Sequence, residues 1–230
     1  VFKRINAEVT EMFFELDGTF PNHEANPIDE ENLADLKQMV KKVRADIGLA
    51  FDGDADRCFL VDEKGNAVNP SLLTALIAER ELTKYPNSSI IYNLISSRAV
   101  REVIEEHGGV AIRSRVGHSF IKALMAESGA VFGGEHSGHF YFADFWRADS
   151  GMLAALHAIA ALGASNLKLS ELLAPYSRYF SSGEINSKVK DGAKIIESLK
   201  VSYQTEPGVS RSEEHTSELQ SQSTISYAVF

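Results

Sequence analysis

Hydrophobic residues recur along this chain with two alternating periods, and each period predicts one kind of element. Between residues 31 and 43, leucine and valine recur every three or four positions, the spacing of one face of an amphipathic helix. Residues 47–51 form a continuous apolar run, as in a buried strand. The same patterns predict strands at 58–62, 89–94, 110–114 and in two pieces of 130–144, a turn at 63–66, and helices at 70–84, 97–108, 118–129 and 150–163.

This alternation of strands and helices predicts an α/β fold class with a largely parallel sheet and helices on both of its faces. We expect two consecutive α/β domains with mixed or parallel sheets at 1–66 and 67–178, and the start of a further α+β domain at 179–210. The boundary before this last domain lies near 176–184, and a new strand follows it. Residues 211–230 are polar and serine-rich without a sustained period, which predicts a tail that is non-native or disordered.

The composition narrows the classes of protein to which the chain can belong. Its 230 residues are 44% hydrophobic and 24% charged, which is typical of a soluble globular protein. A net charge of −9 argues against a nucleic-acid partner. No apolar run approaches the roughly 20 residues that span a bilayer, so we expect no membrane partner. The sequence begins at Val1 rather than at a methionine, and we expect that a preceding part is missing.

Cys58 is the single cysteine of the chain. One cysteine excludes a disulfide framework and any site with several thiolate ligands, and it fits a reducing cytoplasm. We interpret Cys58 as a small buried hydrophobic residue at the start of a strand. The carboxylates that precede it would raise the pKa of a thiol, which argues against a nucleophile.

Three aspartates, Asp52, Asp54 and Asp56, alternate in the loop between two predicted strands. Like charges at this density cost free energy unless a cation lies among them, and oxygen ligands favour Mg²⁺, Ca²⁺ or Mn²⁺ over Zn²⁺. An EF-hand would also place Glu63 at its twelfth position, but the sixth position is Arg57 instead of glycine and the flanks are strands. A solvated acidic turn is the other alternative.

Arg57 directly follows the third aspartate and indicates which chemistry such a cation would assist. A guanidinium beside a carboxylate-bound divalent ion can bind an anionic phosphoryl group, because its N–H groups donate to two oxygens while the metal binds another. The arginine can equally act as a counter-charge for the aspartates. The loop therefore favours phosphoryl chemistry.

A second candidate site lies in the glycine-rich segment 133–140, which carries Glu135, His136, Ser137 and His139. Small residues allow a ligand to approach the backbone, and these side chains offer the donors and acceptors that vicinal sugar hydroxyls need. Two alternatives stay open. One is a zinc site formed by the glutamate and the two histidines, although side chains alternate in direction along an extended segment. The other is an ordinary polar hairpin.

His118 is the third feature, at the predicted start of a helix. Gly117 precedes it, and Arg113, Arg115 and Lys122 flank it. The N-terminus of a helix favours anions, and a histidine there is a candidate for acid–base catalysis. A surface or capping residue is the alternative.

Taken together, "DGDADR", "VGHSFIK" and "GEHSGH" resemble the phosphomannomutase/phosphoglucomutase branch of the α-D-phosphohexomutase superfamily. The first stretch is similar to the metal-binding loop DGDGDR, with Ala55 in place of the middle glycine. The third is similar to the sugar-recognition loop. Residues 15–27 and 182–189 also resemble segments of this branch, and the resemblance extends over residues 1–205.

The resemblance implies an isomerase of carbohydrate metabolism that interconverts hexose 6-phosphate and hexose 1-phosphate, of mannose or glucose. In this family a phosphoserine forms a bisphosphorylated sugar intermediate with Mg²⁺ bound. The first domain of this chain would be the metal-binding second domain of the family, and the next its sugar-binding third domain. The implied roles are Mg²⁺ ligands for Asp52, Asp54 and Asp56, phosphate binding for Arg57, acid–base catalysis for His118, and orientation of the sugar for Glu135, Ser137 and His139.

The sequence also departs from the family pattern. It has no serine motif like TASHNP and no phosphate-binding loop of the RxSxTEP type, which residues 203–208 echo only faintly. Ile95 replaces a lysine that is frequent in the family, while Ser96 and Arg98 remain as polar contacts. We therefore expect a fragment without the first domain and most of the fourth, inactive alone. The alternatives are a phosphoglucosamine mutase and a non-catalytic module that binds metal or sugar phosphate.

Overall fold

The computed structural model of the chain describes residues 2–5, 7–15, 17–180, 185–203 and 224–227. The helices are α1 (Ala34–Val43), α2 (Pro70–Lys84), α3 (Arg98–Glu106), α4 (His118–Ser128), α5 (Gly151–Gly163), α6 (Leu169–Leu173) and α7 (Gly192–Ser202). The strands are β1 (Ile47–Phe51), β2 (Cys58–Asp62), β3 (Ser89–Asn93), β4 (Val110–Ser114), β5 (Phe132–Gly134), β6 (Phe140–Phe142), β7 (Ala148–Asp149), β8 (Ile185–Lys188) and β9 (Thr224–Tyr227). Short 3₁₀ segments lie at Phe2–Arg4, Glu30–Leu33, Ala143–Phe145 and Ala174–Tyr176.

Each strand and helix predicted between residues 47 and 129 is confirmed, with bounds that differ by at most two residues. The two strands predicted within 130–144 are confirmed as β5 and β6. The sequence pattern does not predict β7 or α6, because segments of two and five residues are too short to display a period.

Five strands form one mixed sheet in the order β4-β3-β5-β6-β7. Strand β3 pairs in parallel with β4 and with β5, while β5–β6 and β6–β7 pair antiparallel. Helices α3 and α4 provide the crossovers that parallel pairing requires, whereas the short loop 135–139 allows only an antiparallel return. The predicted mixed α/β fold is confirmed for this part of the chain.

Strands β1 and β2 form a separate antiparallel hairpin. Parallel pairing does not extend to these two strands, because the connecting loop 52–57 is too short for a crossover. Helix α1 covers one face of the hairpin, where the absence of a side chain at Gly48 leaves room for Leu36 and Val40. Helix α5 packs against the same hairpin and also against β6, so it joins the hairpin to the five-stranded sheet.

Neighbouring residues of β3 show how helices cover both faces of the sheet. Ile90 belongs to a large core that α2, α3 and α5 share, and Ile91 belongs to a second core with Ile121 and Met125 of α4. Successive side chains of a strand point to opposite faces, so one apolar strand serves both cores. Helices on both faces are therefore confirmed for this sheet. Cys58 is fully buried in the larger core, as predicted, and burial raises the pKa of its thiol.

The end of the chain is described only in part. The strand predicted after residue 184 is confirmed as β8, and it pairs antiparallel with β9. Strand β9 lies within the segment 211–230, for which the sequence predicts a non-native or disordered tail. The rest of that tail, and part of the predicted boundary at 176–184, lie outside the described residues. Among the described residues, no helix combines the length and the apolar character needed to cross a membrane.

His157 of α5 is a half-buried titratable residue that stacks against Phe142 of the larger core. Its ring stacks on Phe142, its Nε2 lies 3.6 Å from Oε1 of Glu81, and its Nδ1 accepts a hydrogen bond from Arg80. Burial, reinforced by the charges of Arg80 and Lys84, lowers the pKa of His157 from 6.5 to about 4. Burial raises the pKa of Glu81 in the same cluster.

We predict that His157→Gln reduces the loss of stability on acidification. Between pH 6.5 and 4 the unfolded histidine binds a proton that the folded one does not, so this group stabilises the fold above pH 6.5 and less as the pH falls. The free energy of unfolding in urea, measured from pH 7.5 to 4.5, should fall by about 2 kcal/mol less in the variant. Equal slopes in the wild type and the variant would contradict the prediction.

Candidate functional site

The three parallel strands of the mixed sheet end at one edge, and the polar loops that follow them lie there together. Asn93 of β3 pairs in register with Ser114 of β4, and Gly134 of β5 pairs with the residue before Asn93. The loops after these strands carry the start of α4, Ser96, and the segment that begins at Glu135. Ligands of open α/β sheets bind beyond the carboxyl ends of the strands, so this edge is the candidate site.

The aspartate loop joins β1 to β2. Asp52, Asp54 and Asp56 each offer a carboxylate oxygen, and these three oxygens lie within 4.8 Å of one another. Ala55 adopts a left-handed conformation with φ of 60°, which turns the backbone between the second and third aspartates. An alanine in this conformation costs about 1 kcal/mol relative to glycine. The loop therefore directs three hard oxygen donors to one point.

Arg57 is bound to the first aspartate. Its Nε donates to Oδ2 of Asp52 at 2.6 Å, its backbone N–H donates to Oδ1 at 3.1 Å, and its Nη1 donates to Asn26 at 3.2 Å. Burial raises the pKa of Asp52, but the hydrogen bonds from Arg57 outweigh it and hold the pKa below its ordinary value. Asp52 is thus a carboxylate whose charged form is stabilised within the loop.

Asp56 has one buried carboxylate oxygen, Oδ1, that lacks a hydrogen-bond donor among the described residues. Burial raises the pKa of Asp56, as do Asp52 and Asp54, while His139 opposes that shift. A buried oxygen without a donor is costly unless a cation supplies the missing partner. The donor set and this orphaned oxygen fit a hard divalent ion such as Mg²⁺.

The aspartate loop and the glycine-rich loop are in contact. Arg57 and His139 form an isolated antiparallel bridge, and the backbone N–H of Cys58 donates to the carbonyl of Gly138 at 3.1 Å. Nε2 of His139 lies 3.5 Å from Oδ2 of Asp56. The fold therefore places the two motifs, which are some 80 residues apart in the sequence, on one surface.

Glu135 is held on the inner side of this surface. It is 2% exposed, and its carboxylate accepts hydrogen bonds from Tyr141 Oη at 2.7 Å and from the backbone N–H of Gly117 at 3.1 Å. Asn93 donates a longer bond of 3.4 Å. The resemblance implies that this carboxylate binds sugar hydroxyls; in the structure its oxygens hold the turn that precedes His118.

The remaining predicted site residues differ in exposure. His118 is the exposed first residue of α4, and Ser137 is half-buried with its Oγ 3.0 Å from Nδ1 of His139. His136 lies on the other side of the loop from His139, with its Nδ1 3.2 Å from Oγ of Ser71. The predicted zinc alternative thus lacks a shared centre, because His136 is not grouped with the other candidate ligands in the described residues.

The sequence analysis does not assign a role to two charged residues of the site, Asp149 and Lys122. A carboxylate oxygen of Asp149, in β7, lies within 4.8 Å of donor atoms of both Asp56 and His139. Lys122 lies one turn after His118 on α4, and its Nζ is 2.7 Å from Oδ1 of Asp149. The spacing of four residues from His118 indicates a shared helix face for Lys122, but no pattern identifies Asp149.

The fold and the site together define an α/β protein with a cluster of carboxylate oxygens beside a polar loop at the strand ends. Residues 1–65 match the family model of phosphoglucomutase/phosphomannomutase α/β/α domain II, and residues 69–179 match the family model of α/β/α domain III. The chain belongs to the phosphoglucomutase/phosphomannomutase family.

Similar proteins agree with this assignment. The chain is 46% identical over 184 residues to a phosphomannomutase of Methanocaldococcus jannaschii, covering 80% of this chain and 41% of that protein. It is 40% identical over 203 residues to a phosphoglucomutase of Neisseria gonorrhoeae, and the match covers 86% of this chain and 44% of that protein. A crystal structure of a family protein from Burkholderia thailandensis superposes with a TM-score of 0.78 at 35% identity, covering 87% and 43%. The chain thus spans less than half the length of these relatives.

Proposed function

We propose that the whole protein is a phosphohexomutase that interconverts hexose 6-phosphate and hexose 1-phosphate, of mannose or glucose. The observation that carries this proposal is the contact between the aspartate loop and the glycine-rich loop, through the bridge from Arg57 to His139. A cation site and a hydrogen-bonding surface for a sugar are thereby adjacent, as transfer of a phosphoryl group to a sugar requires. The names of the relatives support the same activity.

Asp52, Asp54 and Asp56 would hold Mg²⁺ in this proposal. When bound, the ion would neutralise charge on the transferring phosphoryl group, which is the main requirement of phosphoryl transfer. The clustered carboxylate oxygens and the unpartnered Oδ1 of Asp56 support this assignment. The guanidinium of Arg57 is held by its Nε bond to Asp52 and its Nη1 bond to Asn26, so its remaining N–H groups would meet an anionic oxygen without a further loss of side-chain freedom.

The sugar would lie over the glycine-rich loop. Ser137 and His139 hydrogen-bond each other and would orient hydroxyl groups of the sugar, and Glu135 would accept from a hydroxyl that competes with the N–H of Gly117. A hydroxyl that attacks phosphorus loses a proton, and the leaving oxygen gains one. His118 is exposed at the start of α4 and would carry this proton as general acid or base.

The phosphoryl donor would be a phosphoserine in a part of the protein outside this sequence, through a bisphosphorylated sugar intermediate. Regions that correspond to the first and fourth domains of the family would complete the site. We place the enzyme in the cytoplasm, and the single, buried cysteine of this chain and the sugar-phosphate substrates proposed above support that location. Phosphoglucosamine mutase and a non-catalytic binding module are the competing functions.

The test uses the complete reading frame that contains this sequence. Purified protein with Mg²⁺ and glucose 1,6-bisphosphate should convert mannose 1-phosphate or glucose 1-phosphate into the 6-phosphate, and EDTA should abolish the conversion. Preferential conversion of glucosamine phosphate would replace our proposal by the glucosamine mutase. Binding of Mg²⁺ and sugar phosphate without any turnover would favour the binding module. The 230-residue chain alone should show no turnover.

A further inference from the structure

Lys122 is the cation of α4 that faces the cluster of the two loops. Its Nζ forms an ion pair of 2.7 Å with Oδ1 of Asp149, and it lies 5.8 Å from the ring centroid of Tyr141. The same Asp149 carboxylate is within 4.8 Å of donor atoms of Asp56 and His139. Only one carboxylate group therefore separates the lysine ammonium from the predicted metal ligand Asp56.

The two partners of this ion pair differ in exposure. The side chain of Asp149 is 10% exposed, whereas that of Lys122 is 41% exposed. The carboxylate is thus enclosed among the loops, and the ammonium reaches from it towards solvent. An ammonium group has three N–H donors, and its single ion pair leaves donors for an anion on the open side.

The site is strongly acidic, so binding of a phosphate there requires a positively charged side chain. Glu135, Asp149 and the three loop aspartates are all acidic, and Arg57 already donates to Asp52 and Asn26. A dianionic phosphate that approaches these carboxylates is repelled unless further positive charge is present. Lys122 brings such a charge to the cluster on a side chain that is 41% exposed.

We propose that Lys122 binds a phosphoryl group of the sugar phosphate and so contributes to substrate affinity beside the metal loop. This inference rests on the proposed function and deepens it. The ion pair with Asp149 and the aromatic ring of Tyr141 hold the ammonium in place before the ligand arrives, which lowers the entropic cost of binding.

The experiment measures two affinities of the protein encoded by the complete reading frame by calorimetry: Mg²⁺ alone, and glucose 1,6-bisphosphate in saturating Mg²⁺. Lys122→Met should weaken binding of the bisphosphate about 10-fold or more, because it removes a charged hydrogen bond. The same change should leave Mg²⁺ affinity equal or higher, since it removes positive charge near the ligands. Lys122→Arg should retain most of the affinity for the bisphosphate.

Lys84→Met is the matched control, because Lys84 has a comparable ion pair of 2.6 Å with Asp144 outside the site. It should change neither affinity. Equal bisphosphate affinity in Lys122→Met and wild type would overturn the inference and leave the proposed function standing, as would a parallel loss of both affinities, which indicates a structural role. Absence of bisphosphate binding by the wild-type protein encoded by the complete reading frame would overturn the inference together with the sugar-phosphate part of the proposed function.

Discussion

Gly151→Ala should separate the aspartate loop from helix α5 and abolish cation binding at that loop. Gly151 is the first residue of α5, and a Cβ added there would lie 2.6 Å from the carbonyl carbon of Arg57 and 2.9 Å from the carbonyl oxygen of Ala55, with the oxygen of Arg57 closer still. All of these are backbone atoms, so no side-chain rotation relieves the clash. The loop has to move as a whole.

We expect a cost of about 3 kcal/mol in the free energy of unfolding, at the upper end for overpacking at a buried site. Urea unfolding measures this cost, and calorimetric titration with Mg²⁺ measures the loss of the loop geometry. Gly163→Ala, at the other end of the same helix, is the matched control because nothing lies within 4 Å of its added Cβ. That variant should be as stable as wild type or more so, since alanine favours the helix. Retention of Mg²⁺ affinity by Gly151→Ala would contradict the prediction.

Asp56→Asn is the second prediction, and its effect should have opposite signs without and with Mg²⁺. In the absence of metal, the variant should be at least as stable as wild type. Burial and the neighbouring aspartates raise the pKa of Asp56, so its charged form is disfavoured in the fold, and a neutral side chain removes that penalty. With Mg²⁺ at about 100 times the dissociation constant, the wild type should gain about 2.7 kcal/mol, and the variant should gain little.

Thermal unfolding with EDTA and with a series of Mg²⁺ concentrations distinguishes these two effects. Asp46→Asn, at an exposed aspartate immediately before β1, should behave like wild type in both conditions. A variant at residue 56 that is stabilised by Mg²⁺ as strongly as wild type would exclude this carboxylate as a ligand. If Mg²⁺ stabilised neither the wild type nor the variant, the metal site would be excluded.

The local elements follow closely from the sequence because each one has a strong periodic or capping signal. Helix α2 begins at Pro70, where Asn69 caps the helix through its side chain and the missing N–H of proline costs nothing. Strand β3 is apolar on both faces, and Ile90 and Ile91 do enter two different cores. The antiparallel pairing of β6 is harder to predict from the sequence, because a strand of three residues displays no period.

The candidate site is predictable only in part. The three motifs contain its chemical groups, and local geometry alone brings the carboxylates of the aspartate loop close together. The ion pair of Lys122 and Asp149 is different, because 27 positions separate its partners and each belongs to a different element. The direction in which Glu135 points is likewise decided by Tyr141 and by the backbone of Gly117, which no spacing rule connects to it.

By itself, the sequence determined that "DGDADR" forms a short loop between two apolar strands and that three carboxylates are crowded within it. Those properties depend on neighbours within a few residues, where chain connectivity limits the possible distances. The tertiary structure decided that Arg57 of this loop pairs with His139 of "GEHSGH" and that helix α5 packs against the loop at Gly151. It also decided that, within the described part of the chain, the Oδ1 of Asp56 is buried without a donor. Such contacts depend on how separate elements pack, and packing is fixed only when all the buried surfaces are satisfied together.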